Sequence, residues 1–186
     1  MSTDIASLEI VTYPAKVLRQ KASAVAEVTA EVRDVAERML QLMHKAEGVG
    51  LAAPQVGLRW RLFVAEVDDD GKERLAHSDP PSATPGPLVF INPKIVRLEG
   101  PPEPFEEGCL SLKEIRGEVL RPPVVTVQAL DEHGKPFTAR YGGLMARCVQ
   151  HEIDHLDGVL ILDRMTQISR MKTRSAVRDL EKAAKK

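Results

Sequence analysis

The chain has 186 residues, enough for one domain with a hydrophobic core. Apolar residues make up 43% and charged residues 28%, the balance of an ordinary globular protein, and no apolar run approaches the length that spans a bilayer. The opening residues, MSTDIASLEI, join no basic region to an apolar one and lack the Arg-rich character of a transit peptide. The expected compartment is therefore the cytoplasm, and Cys109 and Cys148 are expected to be thiols or ligands rather than a disulfide. The net charge of −1 conceals an asymmetry: residues 164–186 carry eight basic side chains against two acidic ones, while the rest carries 18 basic and 25 acidic. A basic tail on an acidic body points to an anionic partner, and a solvated terminal helix is the plainer alternative.

From Thr29 to Glu47, apolar residues recur at Val32, Val35, Ala36, Met39, Leu40 and Met43, which is helical spacing, and Gly48 is placed to stop the helix. GVGLAAPQVG then interrupts regular structure. WRLFVAEV (60–67) reads as a strand, and the polar, proline-rich residues 68–87 read as a loop. Strands are expected at Leu88–Ile91 and Ile95–Leu98, with PPEPFEEG (101–108) irregular. VVTVQALD (124–131) and KPFTARY (135–141) flank Glu132-His133-Gly134 as a hairpin. A helix over Leu144–Leu156, a short strand at VLIL (159–162) and a basic C-terminal helix complete the chain. Strands and helices are segregated, which predicts an α+β fold with antiparallel strands around a central helix.

That helix carries HEIDH (151–155). Positions four apart share one face of a helix, so His151 and His155 can aim both imidazoles at one ion, with Glu152 offset to reach a metal-bound water. Two ligands hold a metal poorly. A protease pattern would place a third histidine where Ile161 stands, or a glutamate downstream, and the only acidic residues after Asp163 are Asp179 and Glu181, in a charged tail not expected to enter a dry site. Cys148 is seven residues from His155, about 10 Å along a helix axis, too far for three ligands on one straight helix to converge. Cys109, in EEGCLSL, is the remaining candidate: a thiolate binds transition metals strongly, and one cysteine with two histidines leaves a fourth position for water.

Three stretches, GVGLAAPQ (48–55), EGCLS (107–111) and QHEIDH (150–155), occur in the order found in peptide deformylases, and the chain closely resembles that family from Tyr13 to Asp163. LVFINP (88–93) is also similar to the family's segment between the first two motifs. Lys113 stands where many members have proline, and the 68–87 loop is long for the family; both bear on the rim of a peptide groove. The resemblance implies a catalytic domain over 1–163 and a basic helix over 164–186, either part of that domain or a ribosome-docking extension. It implies removal of the formyl group from the N-terminal formylmethionine of nascent polypeptides, by metal-bound water with Glu152 as general base.

By the same resemblance Gln55 and the Leu110 N–H face the oxyanion, while Val49, Leu144 and Cys148 line a methionine pocket. Gly50 and Arg116 align the peptide. Fe2+ is implied as the native ion, with Zn2+, Ni2+ or Co2+ able to replace it. The implied partners are the formyl-Met peptide and the ribosome, through ribosomal RNA at the basic helix, with no membrane. A thiolate softens the ion as a Lewis acid, which suits an unhindered formyl carbon better than a peptide carbonyl. Two rival readings remain: a metalloprotease with an unrecognised ligand, and a non-catalytic metal-binding module.

Overall fold

The computed structural model describes residues 3–68 and 79–184. Residues 69–78, half of the loop expected over 68–87, and the last two lysines of the tail lie outside the described residues. The first long helix, α1 (Ala30–Lys45), is capped by Thr29, whose hydroxyl accepts from the Val32 N–H at 3.4 Å. Val32, Val35, Ala36, Met39 and Met43 are buried along one face, as the spacing predicts, and Leu40 is half-buried. The helix is stopped by Glu47, in the left-handed conformation at φ 54°, rather than by Gly48. Gly48 instead lies close under Leu110, whose Cδ1 would be 2.7 Å from a Cβ added there and would have to move aside.

Among the described residues, seven strands follow: β1 (Gly50–Ala52), β2 (Leu62–Ala65), β3 (Leu88–Glu99), β4 (Glu103–Cys109), β5 (Leu112–Arg121), β6 (Val124–Leu130) and β7 (Pro136–Gly142). The chain continues as α2 (Gly143–Leu156), a helical turn α3 (Ile161–Arg164) and α4 (Gln167–Ala183). Five strands form an antiparallel sheet in the order β1-β2-β3-β6-β7, and β4 pairs with β5 in a separate antiparallel ribbon. The α+β architecture with a central helix and a C-terminal helix is as expected.

Strand periodicity explains the two faces of the large sheet. Phe63, Phe90, Val125 and Val127 turn toward Met145, Val149, Ile153 and Leu156 of α2, whereas Leu62, Val64, Val89 and Ile91 turn toward Val35, Met39 and Met43 of α1. β2 is buried at every position because both of its faces are covered. Phe90 stacks on Phe63 with ring centroids 4.4 Å apart and meets Phe137 edge-on.

Several local expectations fail for physical reasons. Residues 101–108 are mostly strand: β4 has a single partner, and such an edge tolerates the proline that faces Leu120. Its partner β5, which alternates buried Ile115, Gly117, Val119 and Arg121 with exposed neighbours, has no counterpart in the expected elements. The two strands expected at 88–91 and 95–98 are one, and the gap is a shift in pairing around Asn92, itself at φ 53°. VLIL is not a strand; Leu160 donates its N–H to Asp163 and α3 begins, since a short apolar run does not by itself distinguish strand from helix.

The basic tail lies against the body. Val177 and Leu180 of α4 join a core with Leu112, Ile115, Val119 and Met165, and the Tyr13 hydroxyl donates to Glu181 at 2.7 Å.

Replacing Phe90 by Ala removes a ring from the centre of the sheet–α2 layer and is expected to lower unfolding free energy by about 3–5 kcal/mol in urea titration. Leu98→Ala, at a half-exposed site on the same strand, should change it by less than about 0.5 kcal/mol. Equal losses in the two variants would contradict this account of the core.

Candidate metal centre

α2 lies between the large sheet and the β4–β5 ribbon, and the ribbon ends where β4 delivers Cys109. His151 and His155, one turn apart on α2, place their Nε2 atoms 3.2 Å from each other, and Cys109 Sγ lies 3.3 Å from His155 Nε2. One ligand atom from each of the three residues lies within 4.8 Å of the others. Neighbouring donors of a tetrahedral ion with sulfur and nitrogen ligands stand about 3.3–3.6 Å apart, so the observed spacings fit one ion of that size. The donor set, one thiolate and two imidazoles, suits a transition metal.

Electrostatics point the same way. Burial lowers the basicity of His151, but hydrogen bonds to Cys109 and Glu107 more than reverse this and raise its pKa to about 10. Burial and the neighbouring His151 charge hold His155 well below the usual imidazole range. A metal cation bound at Nε2 of His151 would have to displace the proton that His151 carries, which makes uptake of the ion pH-dependent. His151 Nδ1 faces Glu107 Oε2 at 3.2 Å, which leaves Nε2 free as a ligand. Glu107 is itself gripped by Arg121 at 2.7 and 3.0 Å. Burial alone would raise the Glu107 pKa, but hydrogen bonds from His151 and Arg121 bring it to about 2.

A cavity of about 450 Å³ opens beside the cluster. Glu152 lies in its wall, buried, with Oε2 lacking a hydrogen-bond partner among the described residues. Burial raises the Glu152 pKa to about 7, with the neighbouring His151 charge opposing. Gln55 is also buried in the wall: its Oε1 accepts from the Ala52 N–H at 2.8 Å, which turns the amide NH2 toward Ser111 Oγ (3.3 Å) and Cys109 Sγ (3.6 Å). Leu110 lines the cavity next to Cys109. Gly50 is forced to lack a side chain, because a Cβ would lie 2.5 Å from Glu152 Oε1 and 2.7 Å from Cys148 Sγ.

Val49 and Leu144, both half-exposed, line the same cavity, as do Cys148 and Arg116. Cys148 stands apart from the ligand cluster; its thiol donates to the Val49 carbonyl at 3.4 Å, and burial pushes its pKa well up. The candidate ligand, catalytic and pocket residues therefore meet at one place, with His155 buried and outside the cavity wall; Lys113, expected at the groove rim, is not among the lining residues. The sequence reading assigned nothing to Glu107, Arg121, Phe105 or Arg147. Arg147 lies 4.9 Å over the Phe105 ring, and both residues line the cavity. Only Glu107 carried a usable signal, as the first residue of the EGCLS stretch (107–111), two residues before Cys109.

Known proteins similar to this chain are numerous. The family model described as polypeptide deformylase matches residues 7–171. A peptide deformylase of Rhizobium meliloti is 42% identical over 176 residues, covering 95% of this chain and 93% of that protein. One from Picosynechococcus sp. is 44% identical over 162 residues, covering 87% and 81%. Among solved structures, the peptide deformylase of Ehrlichia chaffeensis superimposes with a TM-score of 0.84 at 34% identity, covering 95% of this chain and 98% of that one. The peptide deformylase of Synechococcus elongatus in complex with actinonin gives a TM-score of 0.79 at 40% identity, covering 93% and 87%.

Glu107→Gln keeps the shape of the group behind His151 but removes its charge. It is expected to weaken Co2+ or Ni2+ binding about 10–100-fold, measured by competition with a chelator. Unchanged affinity would remove Glu107 from the centre.

Proposed function

This chain belongs to the polypeptide deformylase family, hydrolases that release formate from the formylated N-terminal methionine of new polypeptides, and we propose how its own residues divide that reaction. Cys109, His151 and His155 hold one divalent transition-metal ion. We take the native ion to be Fe2+, with Zn2+, Ni2+ and Co2+ acceptable to the same donors. When bound, the ion supplies Lewis acidity that makes a water molecule nucleophilic near neutral pH.

Glu152 accepts the proton of the attacking water and returns it to the departing amine nitrogen, so that formamide and water become formate and a free methionine amine. What supports this role is a buried carboxylate with one oxygen unpartnered and a pKa near neutrality. The Gln55 amide and the Leu110 backbone N–H stabilise the negative oxygen that develops on the formyl carbon. For Gln55, the supporting feature is its fixed carbonyl, which leaves the NH2 group pointed at the cluster. Val49, Leu144 and Cys148 take the methionine side chain, and Gly50 and Arg116 align the peptide backbone. The observation that carries the reading is the convergence of Cys109 with His151 and His155 beside a cavity that also holds Glu152 and Gln55.

We further propose that the protein works in the cytoplasm and meets nascent chains at the ribosome, through the outward face of α4. Arg170, Lys172, Arg174 and Arg178 are exposed there together with Ile168 and Met171, while Val177 and Leu180 face the body. The helix can therefore belong to the catalytic domain and still present a basic surface to ribosomal RNA. No helix among the described residues is long and apolar enough to cross a membrane.

Formate release from a formyl-Met tripeptide should require metal, vanish with chelator and return on adding Fe2+ or Co2+. Cys109→Ser and Glu152→Gln should each lower kcat/KM by at least about 100-fold, and a Cys109→Ser enzyme of full activity would exclude the ligand set. Replacing Arg170, Lys172 and Arg174 together by Gln should weaken ribosome pelleting and flatten its salt dependence while tripeptide turnover persists. Unchanged pelleting would exclude docking through α4.

A further inference from the structure

Glu107 is one end of a longer string of charges. Arg121, at the end of β5, holds Glu107 with two nitrogens and reaches Asp154 Oδ2 with its third, at 2.8 Å. Asp154 precedes His155 on α2 and also accepts from Arg164, through Nη2 at 2.7 Å and through Nε at 3.1 Å. Arg164 closes α3 and stands just before α4. The order from the ligand outward is His151, Glu107, Arg121, Asp154, Arg164. Its inner members are buried and only its outer end is exposed: the side chains of Glu107 and Arg121 are 7% and 5% exposed, Asp154 12% and Arg164 51%.

The balance of charge gives the outermost member its importance. With Arg164 in place, each buried carboxylate has a guanidinium of its own. Arg121 already bridges Glu107 and Asp154, and Arg147 also pairs with Glu107 at 3.6 Å while donating to the Glu103 carbonyl at 2.7 Å, so without Arg164 it is Asp154 that is left with a single bond from the shared Arg121. An uncompensated buried carboxylate is costly, so Arg121 should shift toward Asp154 and loosen its two-pronged hold on Glu107. The carboxylate that orients the His151 ring then loses its own orientation.

We infer that Arg164 is a positioning residue for the metal centre, tying the root of the C-terminal helix to ligand His151 through Asp154, Arg121 and Glu107. This rests on the reading of Cys109, His151 and His155 as ligands.

The test compares the full chain with Arg164→Ala and Arg164→Lys by competition titration of Co2+, by the cobalt absorption spectrum and by urea unfolding of the metal-free protein. Arg164→Ala is expected to bind Co2+ about three- to tenfold more weakly, less than for direct partners of a ligand, with an altered spectrum. Arg164→Lys keeps the charge but not the fork and should fall between; it decides the matter should the Ala variant not fold. Co2+ affinity and spectrum equal to wild type in the variants, with only a lowered unfolding midpoint, would reduce Arg164 to a structural pin and overturn the proposal alone. A wild-type chain that takes up no Co2+ would overturn the ligand reading and the proposal together.

Discussion

Arg121 grips Glu107 where neither side chain is more than 7% exposed, and this pair joins the two parts of the molecule that the site needs. One partner ends β5 and the other lies in β4, so the pair stiffens the ribbon that carries Cys109. The same guanidinium reaches Asp154 on α2, so it also pins the ribbon to the helix that carries both histidines. A buried ion pair adds little net stability once desolvation is counted, but breaking one is expensive, commonly about 3–5 kcal/mol. Its value here is specificity of place. A thiol on a strand and two imidazoles on a helix must meet within a few tenths of an ångström, and apolar contact alone does not set distances that finely.

Around that pair the packing is conventional and serves to exclude water. α2 is buried against the large sheet through Met145, Val149, Ile153 and Leu156. With that side of the helix sealed by the sheet, the histidines are left to face the ribbon. The close approach of Gly50 to Glu152 and Cys148 brings β1 against the same helix. Glu152 is consequently desolvated without a neutralising partner of its own, which is the physical origin of its raised pKa. The environment that would be a defect elsewhere is what a general base operating near neutral pH requires.

Signals carried by neighbouring residues were legible in the sequence. The His151–His155 spacing, the apolar face of α1 and the β6–β7 hairpin are each set within a few residues, and the structure has them where periodicity put them. β4 and β5 were obscured because a proline-rich edge and a charged strand look irregular until their mutual pairing is seen. VLIL misled for the opposite reason: its apolar character suits either strand or helix, and the Leu160–Asp163 contact selected the helical turn. The basic tail was read from charge alone, which conceals the Val177 and Leu180 side that returns to the body.

The candidate donors are legible in the residues alone: two imidazoles and a glutamate at helical spacing, and a thiol elsewhere that could complete them. Side-chain type and helical period are local properties, so no fold was needed to read them. Tertiary structure alone decided that Cys109 reaches His155, that Glu107 backs His151, and that Arg121, Asp154 and Arg164 form one string. Those partners are separated by between 10 and 46 residues in the chain. Contacts at such distances arise from strand pairing and from helix–ribbon packing, which leave no periodic trace in the residues themselves.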